Sequence, residues 1–208
     1  NAEERSYTLH FEQSCAPTPG QPEKLPFVIP VNVGLIGADG RELTATQTLV
    51  VTQAAETFTF ADIDSEPVPS ILRGFSAPVI LDHDYSDAQL LTLLAHDTDP
   101  FNRWEAGQRL ALRAAVAAIT APPAEGAGMA LSEDYVNAMR SLLRDPKLDA
   151  AFKELVLTLP SETYIAEQLE VVDPQRVHTV REAMRARMAT ALQAEWQHAY
   201  EENKDTGA

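Results

Sequence analysis

Three short stretches hold residue types that could do chemistry. LDHDYS sets Asp82, His83 and Asp84 in a row, HDTDPFNRWE gathers His96, Asp97, Asp99, Arg103, Trp104 and Glu105, and HTVRE places His178 and Glu182 one helical turn apart. Carboxylates beside imidazoles are the raw material of metal ligation and of general acid–base catalysis. Spacing decides whether they can be used together.

A helical zinc site of the peptidase kind needs H-E-x-x-H, two imidazoles a turn apart with a glutamate to activate water, and that spacing is absent. Read as a strand, LDHDYS would turn His83 away from the two aspartates, because successive side chains point to opposite faces. HTVRE offers a single imidazole, an ordinary helical surface pair with Arg181. Cys15 lies in a proline-rich stretch with no nearby histidine to lower its pKa, so it reads as a bystander thiol, compatible with a reducing compartment. No G-x-S-x-G elbow or G-x-x-x-x-G-K phosphate loop occurs, and GAGMALSE (126–133) follows a Pro-Pro pair as a flexible connection between helices. Trp104 and Trp196 read as core residues. No catalytic, cofactor-binding or metal-ligating residue is therefore assigned to this chain.

Partners are bounded by charge. The 208 residues carry a net charge of −15, with 12 acids against 4 bases over residues 1–85 and 19 against 12 over 86–208. Neither half offers a basic face, so phosphate backbones and anionic membranes would be repelled. No apolar run reaches the ~18 residues that cross a bilayer, and NAEERSYTL has no basic region leading into an apolar stretch, so no signal peptide is visible.

The elements that must position these residues change character near Tyr85. SYTLHFEQ (6–13) alternates with Tyr7, Leu9 and Phe11 on one face, FVIPVNVGLIG (27–37) is a second strand, and Asp39-Gly40 supplies a hairpin turn. TQTLVVTQ, ETFTFADI and SILRGFSAPVILDHDY add further short runs, divided by polar or proline-bearing links. The spacing predicts an antiparallel β-sandwich over 1–85.

From Ser86 the period is helical. Ser86 and Gln89 form a capping box; Asp99-Pro100, Asp145-Pro146 and Asp173-Pro174 each read as an N-cap with proline at the first helical position, and Ser132 and Ser161 start two more helices. The helix after Asp173 should be the longest, running towards Tyr200. Its stripe of Val177, Val180, Met184, Met188, Ala191 and Leu192 lacks a later helix to cover it. That stripe predicts a solenoid cut from something longer and prone to associate. The fold class is α+β: a sandwich (1–85) followed by a HEAT/ARM-like helical solenoid (86–208).

The stretches SYTLHFEQSCAPTPGQPEKLPFVIPVNVGLIGADGREL and EPVPSILRGFSAPVILDHDYSDAQLLTLLAHDTDPFNRWEAGQRL, with PVPS, FSAPV and DPFNRWEA as their most specific parts, resemble the C-terminal portion of the bacterial aminopeptidase N family of zinc aminopeptidases. The resemblance implies a non-catalytic, cytoplasmic fragment: the sandwich that follows the catalytic domain and the first helices of the C-terminal helical domain. It places zinc, the H-E-x-x-H helix and the G-A-M-E-N motif on polypeptide upstream, leaving no cofactor in this chain. GAGMA (126–130) lacks the glutamate and asparagine of that motif. The implied partners are the catalytic domain, the remaining helices and peptide substrates, with no nucleic acid and no membrane. Two alternatives stand beside it: a stand-alone module that binds a peptide or protein, and an independent hydrolase built on Asp82, His83 and Asp84.

Overall fold

A computed structural model of the chain describes residues 1–122 and 131–204. The chain divides into two compact units, one of Asn1–Tyr85 with His96–Asn102, the other of Ser86–Ala95 with Arg103–Ala208.

The first unit holds five strands: β1 (Tyr7–Glu12), β2 (Ile29–Gly37), β3 (Glu42–Val51), β4 (Ala55–Phe60) and β5 (Pro67–Ile71). They form two antiparallel sheets, β1-β4 and β3-β2-β5. Period-two alternation sends Leu9, Val31, Val33, Leu35, Leu49, Val51, Phe60 and Ile71 into one apolar core, while the opposite face of β1-β4 is polar. There Thr8 meets Thr59 across the strands at 3.1 Å and His10 Nδ1 meets Thr57 Oγ1 at 2.9 Å. Gly40 closes the β2–β3 hairpin at φ 82°, where a side chain would be strained.

Two expectations fail here. DSEPVP (64–69) reads as a link before the run that begins at Ser70, yet Pro67–Ile71 is β5. It sits at the edge of its sheet, and Pro67 and Pro69, two residues apart, turn the same side of the strand away from β2, so neither missing N–H breaks a ladder bond. Conversely, the run beyond Ile71 is not a strand: residues 72–85 are a tight turn at Arg73–Phe75 and then irregular chain. Asp82, His83 and Asp84 therefore lie on a loop.

The second unit is helical: α1 (Asp87–His96), α2 (Pro100–Thr120), α3 (Glu133–Arg144), α4 (Ala150–Leu157), α5 (Glu162–Ala166), α6 (Pro174–Ala191) and α7 (Gln193–Glu202). Local chemistry sets most of the starts. Ser86 and Gln89 exchange backbone–side-chain bonds of 2.9 and 3.2 Å as a reciprocal cap. Asp99, Ser132, Ser161 and Asp173 each accept from the backbone N–H three residues on. Gly107 lets Leu94, Met139 and Val156 converge on α2, for an added Cβ would stand within 3.3–3.9 Å of all three.

Three expectations are corrected in the helices. Asp145 ends α3 instead of starting α4; Pro146 disfavours helical backbone at Asp145, whose ψ is 112°, and Asp149 provides the cap of α4 through Phe152 N–H. The helix from Pro174 does not run on to Tyr200 and is not the longest: it breaks at Leu192 after 18 residues, against 21 in α2. Lastly, the apolar stripe of α6 is not open. Val177, Met184, Met188 and Leu192 are all buried, with α5 and α7 against α6 and α3 against α7, so no exposed seam supports the expected association.

Candidate functional site

The residues singled out by type are scattered. Asp82 and Asp84 are exposed on the irregular loop, and the His83 ring sits 4.2 Å edge-on from Tyr85, whose hydroxyl donates to Pro69 O at 2.7 Å. His178 Nδ1 faces Glu162 Oε1 of α5 at 2.8 Å. Arg103 ends α1, donating from Nε to Leu94 O at 3.0 Å and from Nη2 to Ala95 O at 3.1 Å, with its guanidinium over the Phe152 ring. Glu105 is half-buried on α2, and burial pushes its carboxyl up while Arg109 pulls it back. Cys15 is exposed. GAGMA lies outside the described residues. Among the described residues no three His, Cys, Asp or Glu side chains gather closely enough to hold a metal.

What the fold does bring together is a buried polar network in the first unit, made by the β5 end, its following turn and residues 96–102. Arg73, 4% exposed, reaches back over β2. Gly34 makes room for it: a Cβ there would lie 2.2 Å from Arg73 Cζ. The guanidinium donates from Nη1 to Glu42 Oε1 at 2.6 Å and to Thr46 Oγ1 at 2.8 Å, and from Nε to Ser70 Oγ at 2.9 Å. Its Nη2 stands 3.2 Å from Asp97 Oδ1, an ion pair without hydrogen-bond alignment.

Ser70 is the hub. Its hydroxyl donates to Asp97 Oδ2 at 2.6 Å and accepts from Arg73 Nε and from Asn102 Nδ2, the latter at 2.7 Å, which uses its one proton and both lone pairs. Asn102 spends its second amide proton on Ile71 O at 3.0 Å. Asp97 Oδ1 accepts the Asp99 N–H at 2.9 Å; Asp99 in turn caps α2 through Oδ1 and takes the Gly74 N–H on Oδ2 at 2.7 Å. Burial pushes the Asp97 carboxyl above its ordinary value, against the Ser70 hydroxyl, the Asp99 N–H and Arg73, which hold it down.

The arrangement fastens; it does not react. Ser70 is fully buried and its proton is committed to Asp97, an arrangement that does not present a nucleophile to a substrate. Asp97 and Asp99 stood out in the sequence by density. Ser70, Arg73 and Asn102 did not; the available signal was an arginine inside the apolar run ILRGF, a charge that must find a buried partner.

The second unit carries a looser counterpart at the α6–α7 break. Arg140 Nη2 donates to Ala191 O at 3.0 Å, and Glu195 accepts from Arg144 with Arg140 Nε 3.5 Å away. Burial alone would raise the Glu195 carboxyl, but its own backbone N–H and the two arginines bring it below its ordinary value. An open depression of about 430 Å³ lies over this break, lined by Arg140, Thr190, Gln193 and Glu195 among others.

Comparison with known proteins fits this pair of units. Residues 1–84 match a family model described as a domain of unknown function (DUF3458) with an Ig-like fold, and residues 87–208 match its companion (DUF3458_C), described as ARM repeats. The chain is 36% identical to aminopeptidase N of Escherichia coli K12 over 98% of its own length and 24% of that protein's. It is 42% identical to aminopeptidase N of Caulobacter vibrioides over 77% of its length and 18% of that protein's. The crystal structure of Legionella pneumophila aminopeptidase A in complex with aspartic acid matches with a TM-score of 0.81 at 27% identity, covering 100% of this chain and 23% of that one. The chain thus spans about a quarter of the length of such relatives. It belongs to the DUF3458 family, an Ig-like sandwich followed by ARM-repeat helices, and corresponds to one stretch of aminopeptidase N.

Proposed function

We propose that this chain is the non-catalytic, bridging part of a cytoplasmic zinc-dependent aminopeptidase that releases N-terminal residues from peptides. The observation that carries the reading is coverage: 98% of the chain matches a quarter-length stretch of an aminopeptidase N, while its sequence contains no H-E-x-x-H. Zinc and its activated water belong to another part of the parent enzyme, and the peptide substrate meets its reacting groups there. The role left to this chain is mechanical, to connect the catalytic part to helices that enclose it.

The test is a comparison of two preparations supplied with zinc. The isolated chain should leave an alanyl chromogenic amide intact, and the same chain joined to an upstream H-E-x-x-H domain should cleave it. Hydrolysis by the isolated chain at the joined enzyme's rate would refute the division of labour, and an unfused native reading frame would favour a stand-alone binding module instead.

A further inference from the structure

Ser70, Arg73, Asp97 and Asn102 are buried polar residues of the first unit, and two of the four come from residues 96–102, which run from the last residue of α1 into the first turn of α2. The turn they enclose is strained. Leu72 and Phe75 hold φ of 61° and 51°, the left-handed region that residues with a Cβ avoid. Such a backbone persists only where its surroundings over-determine it.

The bonds that over-determine this turn come both from the sheet, where Glu42 and Thr46 accept from Arg73 and the Asn32 N–H meets Ser76 Oγ at 2.9 Å, and from residues 96–102. Asp99 accepts the Gly74 N–H, Asn102 donates to Ile71 O, and Asp97 engages both Ser70 and Arg73; within the sheet, Asn32 donates to Arg73 O at 3.3 Å. His96 adds packing, since its ring occupies the space that a Cβ on Gly40 would take.

We propose that residues 96–102 are a docked strap, a conformational element that completes the sandwich and holds the 71–76 turn in its left-handed form. The cooperative unit is then 1–85 together with 96–102, which cuts across the boundary at 84–87 between the two family models. A sandwich without the strap would take Asp97 from Arg73 and both Asp97 and Asn102 from Ser70, a loss of partners that unmatched polar groups disfavour. The inference is independent of the enzyme reading; either can fail without the other.

Amide hydrogen exchange on the whole 208-residue chain tests it, with the Gly74 N–H as the sharpest reporter because its bond is to Asp99 of the strap. In subdenaturing urea, the amides of Gly74, Asp99 and Asn102 should open with those of Val33 and Leu35 in β2. Asp97→Ala should lower Gly74 protection by at least about tenfold while α3 and α6 keep theirs. The proposal is overturned if the strap amides open with α1 and the body of α2 instead, or if Asp97→Ala leaves Gly74 protection unchanged. Should that variant not fold, the urea arm on the unsubstituted chain decides alone.

Discussion

Each unit has a place where regular structure stops and an arginine takes charge of the loose ends, but the two are built in opposite dielectric settings. In the sandwich, Arg73 and Asp97 are 4% and 2% exposed and both bond to Ser70, which also accepts from Asn102. In the helices, Arg140 and Arg144 meet Glu195 at the α6–α7 break, with the Arg144 side chain 66% exposed, while the adjoining apolar row is what lies fully inside. The sandwich spends its burial on matched polar groups, the helical break on methionine and leucine. Removing one partner should therefore be costly in the first and cheap in the second.

The largest effect is expected at Asp97. Truncating it leaves the buried Arg73 guanidinium with Glu42, which is partly exposed, as its remaining carboxylate, and breaking a buried pair from one side costs up to about 3–5 kcal/mol. Asp97→Ala should lower the urea midpoint of the β2 amide resonances by that measure, whereas Arg73→Met with Asp97→Leu should cost less than Asp97→Ala alone. Tryptophan fluorescence separates the units, because Trp104 and Trp196, the two in the chain, both belong to the helical one. The acid range gives a second reading. A carboxyl raised in the folded state favours folding below its ordinary pKa of about 4 and loses that contribution as pH climbs through the raised value. The Asp97 contribution should then decline with rising pH, and Asp97→Asn should remove the decline; a contribution that grew with pH would contradict the burial-dominated setting.

Next in size is Met184, the apolar counterpart at 1% exposure in α6. Met184→Ala opens a cavity, for which about 2–5 kcal/mol is the usual range. Here the tryptophan transition should move and the β2 resonances should not. If both moved together, the two units would not be separable in stability and the contrast between them would lose its meaning.

Smaller again is Gly34→Ala. The added methyl meets the Arg73 guanidinium, so the side chain must shift, at a cost of about 1–3 kcal/mol typical of overpacking. In an Arg73→Ala background the same change should be nearly neutral, because the obstacle is gone. A double-mutant cycle on urea midpoints measures that coupling, and additive effects would show that Gly34 is needed for something other than the arginine.

The division between what could and could not be foreseen follows the range of the interactions. Helix starts at Ser86, Asp99, Ser132, Ser161 and Asp173 were legible because a cap is written within four residues, and β1 and β2 because alternation is local. Asp145-Pro146 misled because an Asp before proline serves as well to end a helix as to begin one, and only Asp149 four residues later settles the matter. PVP (67–69) reads as a link because proline is excluded from sheet centres, and whether a strand is at an edge depends on the whole topology. The covered stripe of α6 went unseen because its cover comes partly from the earlier helices. At the polar network, the density of acids pointed to Asp97 and Asp99, but their purpose could not be read: Arg73 lies 24 positions before Asp97, and a pairing over that distance leaves no periodic trace.

The weakest effect should be that of Arg144→Ala, although its contact with Glu195 is as short as any in the network of the sandwich. Distance is a poor guide here. The Arg144 side chain is mostly in water, so its Coulomb attraction is screened and the ordering of a long side chain offsets part of what is left. Glu195 also keeps its own backbone N–H and Arg140 when Arg144 is gone, so no buried charge is stranded. The tryptophan transition should shift less than for Met184→Ala, and the shift should vanish at about 1 M salt, where the screening length falls to about 3 Å. An Arg144→Ala effect as large as that of Asp97→Ala and insensitive to salt would mean that the α6–α7 break is held by its ion pair instead of by Met188 and Leu192, and would erase the distinction drawn between the two arginine sites.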